Sequence, residues 1–488
     1  MLENIDYKKI FTYFEEISNV PRGSRHNERI SAYLVDFAKE HGLEYRVDDA
    51  LNVVIKKPAC GSGTSQEPVM LQGHMDMVCV SADGSHDFQK EGLPLRVDGD
   101  FIYSEGTTLG GDDGIALAYM LALLDGTDYT HPPLEAVFTT DEEIGMDGAS
   151  ALDTSDLKAG MLINIDNEEA GVLLVSCAGG ASVDVRFDSH PSGRTGQQLK
   201  VSVNGLAGGH SGTEIQKHPL NASIVLGRLL ADVYEKHPFY LCSFVGGDKD
   251  NVITNAASCE ICCDGDAGSL ARDLTDAAAE LTAELKSREP GITVAVAELE
   301  SKKPESGEAL CFDRPFTETV LAFLTLTITG VQAMSGDVPG MVESSLNMGV
   351  AHTDETGMQM AFSVRSQKKG YRQYMIDQLT RLARCVAADG IAHAVAVRGR
   401  YPAWDYKPDS KLRDIMVREF RNRFGTEPRV EGIHAGLECG ILSEKMPGLD
   451  IVSVGPDIHG IHTVEERLSI SSARDYFDYI VQVLEKLA

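Results

Sequence analysis

The sequence predicts an α/β domain that is interrupted by a separate α+β domain. With 488 residues, the chain is longer than one hydrophobic core usually serves, so two domains are expected. Short apolar strands alternate with helices up to residue 186 and again after residue 400, a pattern typical of an α/β sheet. We therefore predict an α/β domain formed by residues 1–186 and 401–488, and an inserted domain formed by residues 187–400.

The elements of the α/β domain follow from apolar spacing and from turn residues at their ends. Apolar residues recur at helical spacing in some segments, and others are short apolar runs with turn-type flanks. The predicted helices are 5–18, 27–41, 114–125, 410–424 and 471–487, and the predicted strands are 68–72, 134–140, 161–165 and 451–455. This order indicates a sheet with helices on both faces.

The inserted domain begins after a polar link that contains Gly and Ser, residues 188–198. Two rounds of strands and long helices follow, with helices predicted at 219–235, 269–287 and 371–388. No sequence repeat supports a duplication. If the insert is a lid, its two ends lie near each other.

Composition excludes several classes of partner. The chain has 44 Lys and Arg against 74 Asp and Glu, a formal charge of −30, which repels nucleic acid and anionic membranes. No secretory signal precedes the first helix, and no apolar stretch approaches the length of a membrane span. The ten cysteines do not resemble a disulfide framework, and Cys259 and Cys262 are interpreted as buried strand thiols. We expect a cytoplasmic protein.

His74 and Asp76 form the first motif that carries chemistry, in the stretch GHMD. In an extended segment these two side chains point to the same side, so Asp76 can accept the imidazole N–H. A metal-bound histidine usually has such a partner, which fixes its tautomer. The alternative is a surface His-x-Asp in a loop.

Two acidic pairs follow. Asp112 and Asp113 lie in the Gly-rich turn LGGDDG, where one of them could simply cap a helix or could present both carboxylate oxygens to two metals. Glu142 and Glu143 leave a strand in TTDEEIG, so one could bind metal while the other faces a substrate water. A plain acidic turn is the alternative for this second pair.

Five side chains together have the composition of a dizinc site. Two histidines and three carboxylates suit a borderline metal such as Zn²⁺, and one carboxylate can bridge two ions. Two Zn²⁺ ions, three carboxylates and one hydroxide also sum to a neutral centre. The candidate ligands are His74, Asp112, Glu143, Asp166 and His462.

The stretch GGHSG at 208–212 invites a serine-hydrolase interpretation, which the spacing excludes. A nucleophile elbow needs Gly-x-Ser-x-Gly, and Thr213 stands where the last glycine belongs. We interpret His210 instead as a mobile electrophile that stabilises an oxyanion.

These motifs resemble those of the dizinc aminoacylase/carboxypeptidase superfamily of metallopeptidases. Within it, the chain is most similar to the Xaa-His dipeptidase branch, the aminoacyl-histidine or cytosol nonspecific dipeptidases. The resemblance runs from near residue 20 to the C-terminus. It rests on LQGHMDMVC, TTLGGDDGIALA, TTDEEIGMDGA, GLAGGHSG, SGDVPGMVESSLNMGV, FSVRSQ, HAGLECG and HTVEE.

The resemblance implies a zinc-exopeptidase-like catalytic domain with an inserted lid and dimerisation domain. One zinc would be held by His74, Asp112 and Asp166, and the other by Asp112, Glu143 and His462. We choose His462 over His459 because HTVEE matches the family's motif. The resemblance also implies a cis peptide bond after Asp112.

Further roles are implied for residues around the metals. Asp76 would orient His74, Glu142 would be the general base, and His210 would reach the active site of a partner subunit. Asn255, Arg365 and Gly436 would contact the substrate. One departure from the family is that Gly114 directly follows Asp113, where relatives often have Lys, which leaves the role of Asp113 open.

The sequence therefore predicts a cytoplasmic, homodimeric dipeptidase with two Zn²⁺ per chain, for which Mn²⁺ or Co²⁺ could substitute. Its substrates would be Xaa-His or a broader set of dipeptides, including β-alanyl-His. The alternatives are a tripeptidase or N-acyl amino-acid amidohydrolase on the same scaffold, or a binding protein that has lost catalysis. Glu142 argues against the last, because a binding protein needs no base.

Overall fold

The computed structural model describes residues 2–63, 65–299 and 308–488. The chain divides into two compact units. Unit 1 is Met1–Cys177, Trp404–Gly432 and Leu437–Ala488, and unit 2 is Ala178–Ala403 and Ile433–Gly436.

Helices and strands alternate in unit 1, whereas long antiparallel strands dominate unit 2. The helices of the described residues are α1 (Ile10–Ser18), α2 (Glu28–Glu40), α3 (Gly111–Asp125), α4 (Asp147–Ala151), α5 (Ala222–Tyr234), α6 (Ala267–Leu285), α7 (Arg314–Leu326), α8 (Lys369–Val386), α9 (Lys411–Phe424), α10 (Glu438–Lys445) and α11 (Ile470–Leu487). The strands are β1 (Glu44–Val47), β2 (Val53–Lys57), β3 (Val69–His74), β4 (Leu95–Asp98), β5 (Phe101–Ser104), β6 (Leu134–Thr139), β7 (Met161–Asn164), β8 (Val172–Cys177), β9 (Gly179–Asp188), β10 (Ser192–Arg194), β11 (Gln197–Asn204), β12 (Gly209–His210), β13 (Tyr240–Gly246), β14 (Val252–Ile253), β15 (Ala257–Cys263), β16 (Thr293–Glu298), β17 (Ala309–Cys311), β18 (Gly330–Met334), β19 (Val342–Asp354), β20 (Gly357–Ser366), β21 (Ala392–Tyr401), β22 (Arg429–Ile433), β23 (Asp450–Ser453), β24 (Ile458–His459) and β25 (Arg467–Ser469).

The main sheet of unit 1 has the strand order β1-β2-β6-β3-β7-β23-β8-β22. Its centre is parallel, because β3 pairs in parallel with β6 and β7, and β7 with β23. Every residue of β3 and β6 is buried, as expected for strands covered on both faces. The predicted α/β class is confirmed, and the four predicted strands are β3, β6, β7 and β23.

Helix α3 lies at the centre of unit 1 and is buried on all sides from Gly111 to Leu124. Such a helix must be apolar all round, as IALAYMLALL is. It packs against β3 and α1. The predicted helix 5–18 is shorter in the structure, because Lys8 and Lys9 adopt left-handed φ angles of 52° and 67°. The Asp6 carboxylate accepts hydrogen bonds from the first turn of α1.

Unit 2 contains a sheet with the strand order β16-β11-β15-β13-β19-β20-β9-β21, and β18 pairs with β19. Helices α5, α6, α7 and α8 contribute buried leucines and phenylalanines to one core with this sheet. Cys259 and Cys262 are buried in β15, as the sequence predicts. Cys242 and Cys311 form a disulfide that local sequence does not indicate, since it joins positions 69 residues apart.

The division between the units falls at residues 177 and 178, earlier than the predicted boundary at 186 and 187. Strand β9 crosses the predicted position, because its whole length pairs with β20 inside unit 2. A second difference is the segment Ile433–Gly436, which belongs to unit 2 although it lies far along the chain. Among the described helices, none has the length and apolar character needed to span a bilayer.

Candidate metal centre

The candidate ligands gather at one edge of the unit 1 sheet. His74 is the last residue of β3, Glu143 lies in the turn after β6, and Asp166 follows β7. Asp112 lies in the first turn of α3, and His462 follows β24. Because the carboxyl ends of parallel strands meet at one edge, side chains distant in sequence converge there.

Asp112 lies between the two histidines. Its Oδ1 is 3.0 Å from His74 Nε2, and its Oδ2 is 3.3 Å from His462 Nε2. On the first side, His74 Nε2 is also 3.5 Å from Asp166 Oδ1. On the second side, His462 Nε2 is 3.0 Å from Glu143 Oε2. A carboxylate that turns one oxygen to each of two ligand groups has the arrangement of a bridging ligand.

The electrostatics of this cluster fit cations. Burial raises the pKa of Asp166 to about 6, and hydrogen bonds to Asp112 and Glu143 raise the pKa of His462 to about 10. The pKa of His74 is also well above its usual value; burial opposes this, but hydrogen bonds to Asp112 and Asp166 outweigh it. Without metal ions the site therefore gathers protons, which divalent cations would replace on binding.

Asp113 is buried beside this cluster, after a cis peptide bond that joins it to Asp112. Its Oδ2 accepts a hydrogen bond from the backbone N–H of His74 at 3.2 Å. Its carboxylate, His74 and Asp166 also have ligand atoms within 4.8 Å of one another. Burial raises its pKa well above the usual value. Asp113 therefore contacts the backbone of one ligand and lies close to another.

Asp76 makes more contacts than the sequence predicts. Its Oδ1 lies 3.4 Å from His74 Nδ1, and its backbone carbonyl lies nearer to that nitrogen, at 3.1 Å. The carboxylate also accepts hydrogen bonds from the Glu142 N–H at 3.0 Å and from the Ser24 hydroxyl at 2.8 Å. Asp76 thus links the end of β3 to the acidic turn that follows β6.

Glu142 projects toward the same cluster. One of its carboxylate oxygens lies within 4.8 Å of ligand atoms of His74 and Glu143. Burial raises the pKa of Glu142 well above its usual value, and the negative charges of Asp166 and Glu438 add to this effect. A carboxyl group with a raised pKa next to a metal site is suited to accepting and returning a proton.

Glu438, at the start of α10, is a component of the site that the sequence reasoning missed. It is completely buried, and burial raises its pKa to about 8. Its Oε2 accepts hydrogen bonds from Gln72 at 2.5 Å and from Thr139 at 2.8 Å. Gln72 in turn accepts from Asn164 at 2.7 Å. This chain of contacts ties β3, β6, β7 and α10 together beneath the ligands. The only sequence signal for Glu438 is its place in the stretch HAGLECG.

The remaining predicted site residues, His210, Asn255, Arg365 and Gly436, lie in unit 2. Arg365 is 7% exposed near the end of β20 and donates from Nη1 to the Tyr401 hydroxyl at 2.9 Å. Burial lowers the pKa of His210, and the nearby charge of Arg365 lowers it further. Asn255 is exposed, and its Cβ lies against Gly208 in the loop before His210.

His434 is a second residue that the sequence reasoning missed. It is buried, and its Nε2 lies 2.8 Å from the Ser345 hydroxyl. Burial and the positive charge of Arg365 lower the pKa of His434 to about 3, so the imidazole is neutral at physiological pH. Gly212 lies against both His210 and the backbone of His434. Unit 2 thus brings two neutral imidazoles and a buried guanidinium close together.

Comparison with known proteins defines the class. Residues 70–486 match the model of peptidase family M20/M25/M40, so the chain belongs to this family. It is a peptidase of a metal-dependent family, and the groups of His, Asp and Glu side chains in unit 1 that could hold a metal ion agree with that.

Individual relatives agree over the full length. The cytosol non-specific dipeptidase of Escherichia coli is 32% identical over 492 residues, with 100% of this chain and 99% of that protein covered. The crystal structure of aminoacylhistidine dipeptidase from Vibrio alginolyticus matches with a TM-score of 0.89 at 31% identity, covering 100% of this chain and 99% of the other. A tripeptidase from Staphylococcus aureus shares the fold, with a TM-score of 0.56, 16% identity and 98% of each chain covered.

The low pKa of His434 predicts a pH dependence of stability. The unfolded imidazole takes up a proton near pH 6.5, whereas the folded one does so only near about pH 3, so acidification favours unfolding between these values. This one group should lower the free energy of unfolding by up to about 1.4 kcal/mol per pH unit below about pH 6.5. Between about pH 7.5 and about pH 5.5, the melting temperature of His434→Gln should fall less than that of the native protein.

His393→Gln is the matched control, since His393 is an exposed histidine of the same unit. It should keep the native pH dependence. An equal fall in melting temperature for His434→Gln and the native protein would contradict a buried neutral His434.

Proposed function

We propose that the protein is a dipeptidase with two Zn²⁺ ions per chain. His74, Asp112 and Asp166 would hold one ion, and Asp112, Glu143 and His462 the other. Mn²⁺ or Co²⁺ could occupy the same ligands. The observation that carries the proposal is the geometry of Asp112, whose two oxygens face His74 and His462 separately.

Bound divalent ions would supply Lewis-acid chemistry, by lowering the pKa of a water molecule and polarising the peptide carbonyl. Glu142 then has the central role among the protein's own groups. Its carboxylate accepts the proton of the attacking water and afterwards returns it to the leaving amine nitrogen. Its raised pKa suits both steps, because a strongly acidic carboxyl group would hold the proton too weakly.

Residues of unit 2 would bind the substrate. The planar guanidinium of Arg365 can grip the free carboxylate of a peptide through two hydrogen bonds, with Asn255 and Gly436 as further contacts. His210, kept neutral by its surroundings, would donate a hydrogen bond to the oxyanion. Recognition of the free carboxylate would direct cleavage to the peptide bond that precedes the C-terminal residue.

The dipeptide substrate is supported by relatives at 31–32% identity that are named dipeptidases, one of them for aminoacyl-histidine. Substrates of the Xaa-His type, including β-alanyl-His, or a broader set of dipeptides would fit such an enzyme. A tripeptidase shares the fold at 16% identity, which supports the fold alone. Release of amino acids from a panel of dipeptides, tripeptides and N-acetyl amino acids separates the three activities. Binding of dipeptides without release of amino acids would support the remaining alternative, a binding protein that has lost catalysis.

We also propose a cytoplasmic homodimer in which residues 187–400 serve as a lid and dimerisation domain. The cytosolic name of the Escherichia coli relative supports the location. The formal charge of −30 disfavours nucleic acid and anionic membranes as partners. In such a dimer His210 would act on the metal centre of the partner chain.

Replacing the two adjacent glutamates should have different consequences. Glu142→Gln is nearly isosteric and removes only the base, so kcat on a dipeptide should fall by at least about 10²-fold while zinc content stays unchanged. Glu143→Gln, its matched control, removes a ligand and should weaken zinc binding. The measurements are kcat and elemental analysis. Full activity in Glu142→Gln would show that another group is the base.

Mixed dimers test whether the active site is shared. His210→Ala and Glu142→Gln proteins should each be nearly inactive, and a hybrid dimer should contain one intact site. Statistical mixing of subunits gives about a quarter of native activity as the ceiling. The assay is dipeptide hydrolysis after subunit exchange, verified with differently tagged chains. If exchange is complete and no activity returns, His210 does not act on the partner chain.

A further inference from the structure

Two buried charges of opposite sign hold the residue that precedes the metal-ligand turn. The N–H of Gly110 donates to Glu466 Oε2 at 3.0 Å, and its carbonyl accepts a hydrogen bond from Arg22 Nη2. Glu466 is 2% exposed and Arg22 is 1% exposed. Neither residue belongs to the five candidate ligands. Their burial nevertheless requires strong polar contacts, because an isolated buried charge is costly.

Glu466 fixes the backbone that leads into Asp112. Its two carboxylate oxygens accept hydrogen bonds from four consecutive N–H groups, at distances from 2.8 to 3.4 Å. The donors are Leu109, Gly110, Gly111 and Asp112. Glu466 itself is held in the turn after His462 by a hydrogen bond from its N–H to the Thr463 carbonyl at 3.3 Å. One carboxylate therefore connects the segment carrying His462 to the segment carrying Asp112.

Arg22 makes the corresponding connection to the third ligand segment. Its Nη1 donates to the carbonyls of Met75 and Asp76 at 3.2 and 3.1 Å, directly after His74. Its Nη2 donates to Gly110 on the other side. Burial lowers the pKa of Arg22, and the negative charges of Glu466 and Asp76 partly offset this. The guanidinium thus links the end of β3 to the start of α3.

Two glycines make room for this guanidinium. Gly110 has a left-handed φ of 62°, and a Cβ there would lie 2.5 Å from Arg22 Nη2. A Cβ at Gly114, in α3, would lie 2.6 Å from the same atom. Glycine disfavours helix, so its presence in α3 is explained by the space that Arg22 needs.

We propose that Arg22 and Glu466 are positioning residues of the metal centre, which together hold the segments of His74, Asp112 and His462 in the spacing that two metal ions require. This rests on the proposed dinuclear site. The distance between ligands on separate segments sets metal affinity and geometry, and outer contacts of this kind typically change affinity by about 10- to 100-fold.

The test uses conservative variants with matched exposed controls. Glu466→Gln keeps the shape but turns an amide toward N–H donors, and Arg22→Lys keeps the charge but loses the planar fork that reaches both segments. The controls are the exposed neighbours Glu465→Gln and Arg25→Lys. Each protein is stripped of metal. Zinc affinity is then measured by competition with a chelating dye, and coordination by the visible absorption of the Co²⁺ form.

Both variants should bind zinc at least about tenfold more weakly than the native protein and show an altered Co²⁺ spectrum, whereas both controls should match it. Melting of the metal-free proteins reports whether the fold is intact. Native affinity and spectrum in Glu466→Gln and Arg22→Lys would overturn the proposal. If the native protein itself binds no zinc, the proposed function fails, and this inference with it.

Gly114→Ala provides a second variant in case Arg22→Lys or Glu466→Gln does not fold. Alanine normally favours a helix over glycine, so a purely structural change should not harm α3. The added methyl would instead displace the guanidinium, and zinc affinity should fall in the same direction as in Arg22→Lys. Unchanged zinc affinity in a folded Gly114→Ala protein would contradict the role of Arg22.

Discussion

The structure of unit 1 depends on the balance of charge among the acidic and histidine side chains of the candidate metal centre. Asp112, Glu142, Glu143 and Asp166 converge on the same sheet edge, largely shielded from water, with two histidines as their nearest bases. Like charges at such short range raise one another's pKa or require a counter-charge. The pKa of Asp166, raised to about 6 by burial and by the neighbouring carboxylates, shows the first response, and the pKa of His462, raised to about 10 by hydrogen bonds to Asp112 and Glu143, shows an imidazolium acting as a counter-charge. Divalent cations would provide a further counter-charge and would leave Glu142 free for its proposed role as the base.

The rest of unit 1 keeps these acidic side chains close together although their negative charges repel one another. His74 is the last residue of β3, and Glu143 and Asp166 follow the ends of β6 and β7. These strand ends have fixed positions because the parallel centre of the sheet is buried on both faces. Beneath the candidate ligands, Glu438 and Gln72 together tie three strand ends to α10. Around them, Arg22 and Glu466 contact main-chain groups. Backbone contacts of this kind fix ligand positions without adding side chains to the pocket itself.

The convergence of the five candidate ligands could be predicted from sequence, because each of them lies in a short, distinctive turn next to a recognisable strand or helix. GHMD, GGDDG and DEEIG are local patterns, and the choice of His462 over His459 agrees with the geometry, since His459 packs near Phe101 and His462 contacts Glu143. The fold class could also be predicted from sequence, because buried parallel strands appear as apolar runs.

Other features depend on contacts distant in sequence. A buried Arg22 or Glu438 cannot be told from a surface charge by local pattern, since each is buried only once segments separated by tens to hundreds of residues meet. The predicted helix 5–18 is too long at its N-terminal end, because Lys8 and Lys9 are left-handed and the Asp6 carboxylate accepts hydrogen bonds from the first turn of α1, which begins at Ile10. The predicted boundary at 187 fell inside β9, whose alternating burial looks the same on either side of a domain border.

In the proposed enzyme, cleavage of dipeptides would depend on two metal ions, which His74, Asp112, Glu143, Asp166 and His462 would hold. The most direct measurement is a titration of metal-free protein with Zn²⁺ while the release of amino acids from a dipeptide is followed. We expect no hydrolysis without metal and a plateau at about two equivalents per chain. Hydrolysis that persists in excess chelator, or that reaches its full rate at about one equivalent, would contradict it.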